Sequence, residues 1–119
     1  MVSIGGSLCE VQAEVFKAMG HPIRVRIVKF LADREHAVNE IVQAVQAEQS
    51  NVSRHLALLR QAGVLSSRKD GLRVFYRLSS AELGKALEAA AACVGDLMRS
   101  RVRAGASMLA ETPETELHA

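Results

Sequence analysis

Apolar residues in the first half of the chain recur every three or four positions, which predicts a series of amphipathic helices. The recurring residues are Leu8, Val11, Val15 and Met19, then Ile23, Ile27, Val28 and Leu31, then Ile41, Val42 and Val45, and finally Val52, Leu56 and Leu59. The predicted helices cover Leu8–Met19, Pro22–Ala32, Val38–Val45 and Gln49 or Ser50 to Gly63. Gly20 and Gly63 are expected to end the first and fourth helices, and Pro22 suits the first turn of the second.

The periodicity changes after Gly63, where two short segments predict β-strands at 64–69 and 72–78. Asp70–Gly71 between them predicts a tight hairpin turn with positive φ at both central residues. The residues expected on one face of the second strand are Leu72, Val74, Tyr76 and Leu78. A long last helix is predicted from Ala81 to Arg103 or beyond, with one side formed by Leu83, Leu87, Ala90, Val94 and Leu97.

These elements predict a mainly α-helical fold with a β-hairpin, in one domain over residues 1–110, followed by a mobile acidic tail at 111–119. The chain has 119 residues, of which 49% are hydrophobic, and this composition argues against disorder. No apolar run approaches the ~18 residues of a membrane span, and the N-terminus has no signal-peptide pattern. With only two cysteines, a cytoplasmic location is expected.

The net charge of +2 conceals an uneven distribution of charged residues. Eleven basic and five acidic residues lie between Val15 and Ser80, whereas the remaining segments together have a net charge of −4. A basic central segment indicates a polyanionic partner.

The order of the elements, four helices followed by a hairpin and a last helix, is the plan of a winged helix-turn-helix. Three segments carry a closer resemblance: Met19–Val28, Asn51–Leu65, and Asp70–Gly71 with Val74–Leu78. They resemble the second helix, the recognition helix and the wing of the ArsR/SmtB family of bacterial repressors. The resemblance implies a homodimer joined through the first and last helices. It also implies binding to double-stranded operator DNA, with release by an inducer.

The candidate DNA-binding residues are Gln49, Ser50, Asn51, Ser53, Arg54 and Ala57 on the fourth helix, and Arg68, Lys69 and Arg73 beside the hairpin turn. Arginine pairs with guanine and asparagine with adenine through two hydrogen bonds, and a small alanine permits close approach to the groove. The basic residues of the hairpin suit phosphates or the minor groove. Two alternatives remain: a merely solvated polar face, and a winged-helix protein-interaction module without sequence-specific DNA binding.

The candidate sensor residues are Cys9 and Cys93 on the first and last predicted helices. The resemblance does not supply a metal site, because the third helix lacks a cysteine and the last helix lacks a histidine. The two thiols leave three interpretations open: redox or persulfide chemistry, binding of a soft metal or arsenite, and a plain structural role in the core. No cofactor is certain, and the inducer is unknown.

The sequence predicts different roles for the four histidines. His21 and His55 are interpreted as structural or DNA-facing, and His36 as a solvated loop residue. His118 in the tail is at most a supplementary metal ligand. No phosphate-binding loop, zinc-hydrolase motif or nucleophile–base pair is present in the sequence, so an enzyme is not expected.

Overall fold

The computed structural model describes residues 7–111, with side chains described as far as residue 106. Five helices and three strands follow in the order α1 (Cys9–Met19), α2 (Pro22–Phe30), β1 (His36–Ala37), α3 (Val38–Val45), α4 (Gln49–Gln61), β2 (Leu65–Asp70), β3 (Arg73–Leu78) and α5 (Glu82–Glu111). The chain forms two compact units, one extending to Lys85 and one beginning at Ala86. Apart from Glu111, which ends α5, the predicted tail with His118 lies outside the described residues.

The core of the first unit is aliphatic and is built where α2, α3 and α4 pack together. Its fully buried side chains are Ile27, Val28, Ile41, Val52, Leu56, Leu59 and Val64. These residues include the apolar positions predicted at the centres of the second, third and fourth helices. The helical periodicity therefore predicts the central core correctly.

Local hydrogen bonds explain where these helices begin and end. His21 precedes α2, and its Nδ1 accepts a hydrogen bond from the Ile23 N–H at 3.1 Å. The Glu40 carboxylate accepts one from the Ala37 N–H at 2.9 Å at the start of α3. Such side-chain acceptors satisfy N–H groups that have no partner within the helix. Gly63 follows α4 with φ of +83°, a left-handed conformation that glycine adopts without steric cost.

The sheet has the strand order β1-β3-β2 and is antiparallel throughout. Sequence reasoning missed β1, whose two residues pair with Tyr76 and Phe75 of β3. The prediction for His36 is wrong, because its side chain is buried with 3% exposure and its ring stacks on Phe30 with centroids 4.0 Å apart. Pairing with β3, rather than any local pattern, removes His36 from solvent.

The hairpin is confirmed, but its turn lies one residue later than predicted. Asp70 pairs with Arg73, so Gly71 and Leu72 are the two central residues. Only Gly71 has a positive φ, of +63°, which is the pattern of a type II′ turn. Leu72 is consequently fully exposed at the tip of the turn, and its predicted place in the second strand is wrong.

Apolar side chains remain exposed on both α1 and α5. Leu8, immediately before α1, is exposed, as are Val11 and Phe16 on α1. On α5 the exposed apolar residues are Val94, Leu97, Met98 and Val102. The predicted apolar spacing of the first helix is therefore present, but only its last turn, at Ala18 and Met19, is buried in this chain.

Candidate nucleic-acid interface

The polar face of α4 lies opposite the side chains that anchor this helix. Val52, Leu56 and Leu59 are fully buried, which turns the other side of the helix towards solvent. The predicted DNA-binding residues exposed on α4 are Gln49, Ser50, Ser53, Arg54 and Ala57, whereas Asn51 is half-buried. The sequence of α4 contains no acidic residue, so all the charged groups that this helix exposes are basic.

Arg54 and Asn51 are joined on this face. The Arg54 Nη2 donates a hydrogen bond to the Asn51 Oδ1 at 2.9 Å. A guanidinium has five N–H donors, so this bond leaves most of them available to another acceptor. The arrangement restrains the arginine beside the N-terminal half of α4, where helix-turn-helix proteins contact base edges.

A cleft of about 470 Å³ joins α4 to the β2–β3 hairpin, which we call the wing. Gln49 and Ser53 of α4 line this cleft together with Arg73 and Tyr76 of β3. The structure thus brings residues predicted separately on the helix and on the wing to the same concave surface.

Arg68 occupies a different environment from the one predicted. Its Nε donates to the two carboxylate oxygens of Glu35 at 3.1 and 3.0 Å, and its Nη2 also donates to this carboxylate. Its guanidinium lies over the Phe75 ring, 4.5 Å from the centroid. The hydrogen bond from Arg68 lowers the pKa of Glu35, and the same bond raises the pKa of Arg68. Glu35 therefore neutralises one of the three basic residues assigned to the wing.

The other two wing residues are exposed. Lys69 extends from β2, and the Arg73 guanidinium carbon lies 4.9 Å from the centre of the same Phe75 ring. Cation–π contact leaves the N–H groups of an arginine able to donate to phosphate oxygens.

On the side of α4 that faces α2, the structure brings together His21, Arg24 and His55, a basic cluster that the sequence did not predict. The rings of His21 and His55 lie 4.5 Å apart, and Arg24 of α2 lines the same cleft. Burial lowers the pKa of His55, as do the charges of His21, Arg24 and Arg54. His21 immediately precedes α2 and Arg24 lies in its first turn, three residues later, so the two side chains are neighbours. No sequence signal pairs them with α4.

The candidate sensor cysteines, Cys9 and Cys93, are both exposed on the single protomer, so neither belongs to the core of an isolated chain. Among the side chains described, those of residues 7–106, no group of three or more from histidine, cysteine, aspartate or glutamate is placed to hold a metal ion. Among the described helices, none combines the length and hydropathy needed to cross a membrane.

Comparisons with known proteins agree with this arrangement. The model of a family described as bacterial regulatory protein, arsR family, matches residues 21–67. The uncharacterized HTH-type transcriptional regulator Rv0081 of Mycobacterium tuberculosis is 35% identical over 96 residues, which span 80% of this chain and 84% of the relative. Its crystal structure superposes with a TM-score of 0.71 at 34% identity, covering 80% of this chain and 96% of that one.

Two further solved structures extend the comparison. HlyU from Vibrio cholerae matches with a TM-score of 0.66 at 35% identity, over 70% of this chain and 90% of that one. The transcriptional repressor BigR from Xylella fastidiosa matches with a TM-score of 0.64 at 30% identity, over 68% and 83%. The matched family consists of transcriptional regulators rather than enzymes. The chain therefore belongs to the ArsR family of bacterial regulatory proteins and is a DNA-binding transcriptional regulator with a winged helix-turn-helix fold.

Proposed function

We propose that this regulator is a homodimeric repressor that binds a roughly palindromic operator through α4 and leaves it when an inducer binds. The observation that carries the proposal is the exposed polar face of α4, free of acidic residues and held above a buried apolar stripe. Among relatives, HlyU of V. cholerae is named a transcriptional activator and BigR a transcriptional repressor. Repression, rather than activation, by this chain is therefore part of the proposal.

Within this face Arg54 is the residue we assign to a base edge. It is exposed, and its hydrogen bond to Asn51 restrains the side chain before DNA arrives. A restrained guanidinium loses less conformational entropy when it binds the two acceptors of a guanine. Ser50 and Ser53 then contribute adaptable hydrogen bonds, and Ala57 permits close approach.

The exposed apolar residues of α1 and α5 support a dimer. A second copy of the chain would remove side chains such as Phe16, Leu97 and Val102 from water. In a two-fold dimer the recognition helices of the two protomers lie about 34 Å apart, which is one turn of DNA. The chain would then act in the cytoplasm, in contact with DNA.

For the inducer we propose chemistry at Cys9 and Cys93, either oxidation or persulfide formation, or binding of a soft metal or arsenite. Both thiols are exposed on the single protomer and lie on α1 and α5, the helices assigned to the dimer interface, so a change at either sulfur would act where the two protomers meet. Each dimer would carry two copies of both thiols.

Fluorescence anisotropy with a labelled duplex from upstream of the chain's own gene tests the operator contact. The Arg54→Ala substitution is expected to cost about 1–3 kcal/mol on this duplex and little on random DNA. Arg60→Ala removes an equal charge from the last turn of α4 and serves as the matched control. Equal losses on both duplexes would show that Arg54 contacts phosphate, and no DNA affinity would favour the protein-interaction alternative.

A parallel titration after treatment with a mild thiol oxidant tests the sensor. We expect specific binding to be lost on oxidation and restored by reductant, and we expect Cys9→Ser and Cys93→Ser variants to retain binding in oxidant. Specific binding that persists in the oxidised wild type would contradict the redox form of the proposal.

A further inference from the structure

A second concave surface borders α4 on the side that faces α2. This cleft has a volume of about 350 Å³ and is lined by His21, Arg24, Asn51, Arg54, His55 and Leu58. Of the described residues that line it, none is acidic. Two histidines and two arginines therefore meet around one opening at the edge of the face assigned to DNA.

Hydrogen bonds determine which nitrogen atoms remain for a ligand. Because Nδ1 of His21 accepts from the Ile23 N–H, the neutral ring carries its proton on Nε2. Arg24 donates from Nη1 to the Ala18 carbonyl at 2.8 Å, while its Nε is buried without a hydrogen-bond partner among the described residues. The cluster thus contains a buried guanidinium N–H that has no acceptor among the described residues.

The electrostatic surroundings of His55 are mostly positive. His21 and Arg24 approach it from α2 and Arg54 lies on its own helix, and all three oppose its protonation, although burial lowers its pKa most. On the α1 side, Glu14 and Lys17 line an adjoining cleft together with Arg24, and their charges are opposite. An anion in the cleft would compensate this positive field and favour protonation of His55.

We infer that this cleft binds a phosphate group, and that the phosphate is a backbone phosphodiester of the DNA whose groove receives α4. Asn51 and Arg54 belong both to the cleft and to the predicted base-reading segment, so an occupant of the cleft lies beside the bound groove. Contacts to phosphates fix the register of a protein on the duplex. The inference rests on the proposed function and adds His21, Arg24 and His55 to the interface.

The test compares the wild type with His55→Gln and His55→Lys at about pH 6 and about pH 8, on operator and random duplexes. The wild type is expected to bind both duplexes on the order of threefold more tightly at the lower pH, because phosphate binding takes up a proton at His55. His55→Gln should lose most of this pH dependence and lower the salt slope at the lower pH by about 1 per protomer. His55→Lys should bind tightly at both pH values.

Arg60→Gln removes a charge from the same helix outside the cleft and should retain the wild-type pH dependence. A wild-type pH profile in both His55 variants would overturn the inference. Because the comparison is also made on random DNA, it remains informative if the operator preference itself fails.

Inorganic phosphate distinguishes the source of the anion. We expect it to weaken DNA binding of the wild type no more than sodium chloride at equal ionic strength. Stronger competition by phosphate, together with a phosphate-dependent shift of the His55 ring resonances in the absence of DNA, would identify a free anion as the ligand and overturn the assignment to DNA.

Discussion

Replacing Glu35 with glutamine tests how far the ion pair at the wing restricts Arg68. In the structure the Glu35 carboxylate receives hydrogen bonds from both Nε and Nη2 of Arg68, and the resulting pair has no net charge. The substitution removes the negative charge and retains an amide of similar shape. The charge of Arg68 would then no longer be compensated by Glu35, beside the exposed residues Lys69 and Arg73, while the Asp70 carboxylate remains 3.9 Å from its Nη1.

The expected gain follows from counterion release. Each additional phosphate contact increases the slope of log affinity against log salt by about 0.9, and a dimer carries the substitution twice, so the slope should rise by nearly 2. A fourfold reduction in salt would then strengthen Glu35→Gln binding about tenfold more than wild-type binding. The gain should be the same on operator and random DNA, since phosphates carry no sequence information.

Anisotropy titrations at several salt concentrations measure this slope for four proteins: the wild type, Glu35→Gln, Arg68→Gln and the double variant. Arg68→Gln alone should change the slope little, because Glu35 already neutralises the arginine. In the double variant the gain of Glu35→Gln should disappear, which isolates the coupling between the two side chains. A slope unchanged by Glu35→Gln would refute the idea that Arg68 reaches DNA once it is released.

Two further predictions concern stability, measured by urea denaturation. Gly63→Ala should lower the free energy of unfolding by about 1–2 kcal/mol, because φ at this position is +83°, a conformation unfavourable for alanine. Gly105→Ala should raise it by about 0.5–1 kcal/mol, because a Cβ at this helical position on α5 meets no other atom. Equal effects of the two substitutions would contradict the role of backbone conformation. The Ala37 N–H lowers the pKa of Glu40, so the stability from this bond is complete above the ordinary value of 4.5 and is lost as pH falls through the lowered pKa. Glu40→Gln should therefore show a smaller loss of stability below about pH 4.5 than the wild type, and an identical pH profile would contradict this assignment.

The helices of this chain could be predicted from sequence because each carries its own apolar period. Ile27 and Val28 on α2, and Leu56 and Leu59 on α4, are fully buried, and the spacing of apolar residues within each helix is enough to identify them. The two-residue strand β1 has no such period. It exists because β3 offers a free edge beside it, and this tertiary contact also buries His36.

In the wing, too, the sequence predicts the element but not its exact register or its long-range contacts. The Asp70–Gly71 pair predicts a hairpin correctly, but turn types that place glycine first or second at the tip differ by one residue in register. The observed register moves Leu72 from a strand face to the turn. The partner of Arg68 was equally inaccessible to sequence reasoning, because Glu35 lies 33 residues earlier in the chain.

The exposed residues of α4 were predictable, whereas the charge on its two flanks was not. On the wing side Glu35 neutralises Arg68, and on the α2 side burial and neighbouring cations oppose protonation of His55. Both effects reduce the positive charge that the free chain presents to any phosphate backbone. Non-specific affinity arises almost entirely from that charge, whereas specific affinity also includes contacts to base edges. On the proposed function, restraining charge at both flanks of α4 therefore lowers the affinity for operator and random DNA by the same factor, and leaves the ratio between them to the contacts with base edges. Glu35→Gln and His55→Lys should each raise both affinities without changing that ratio.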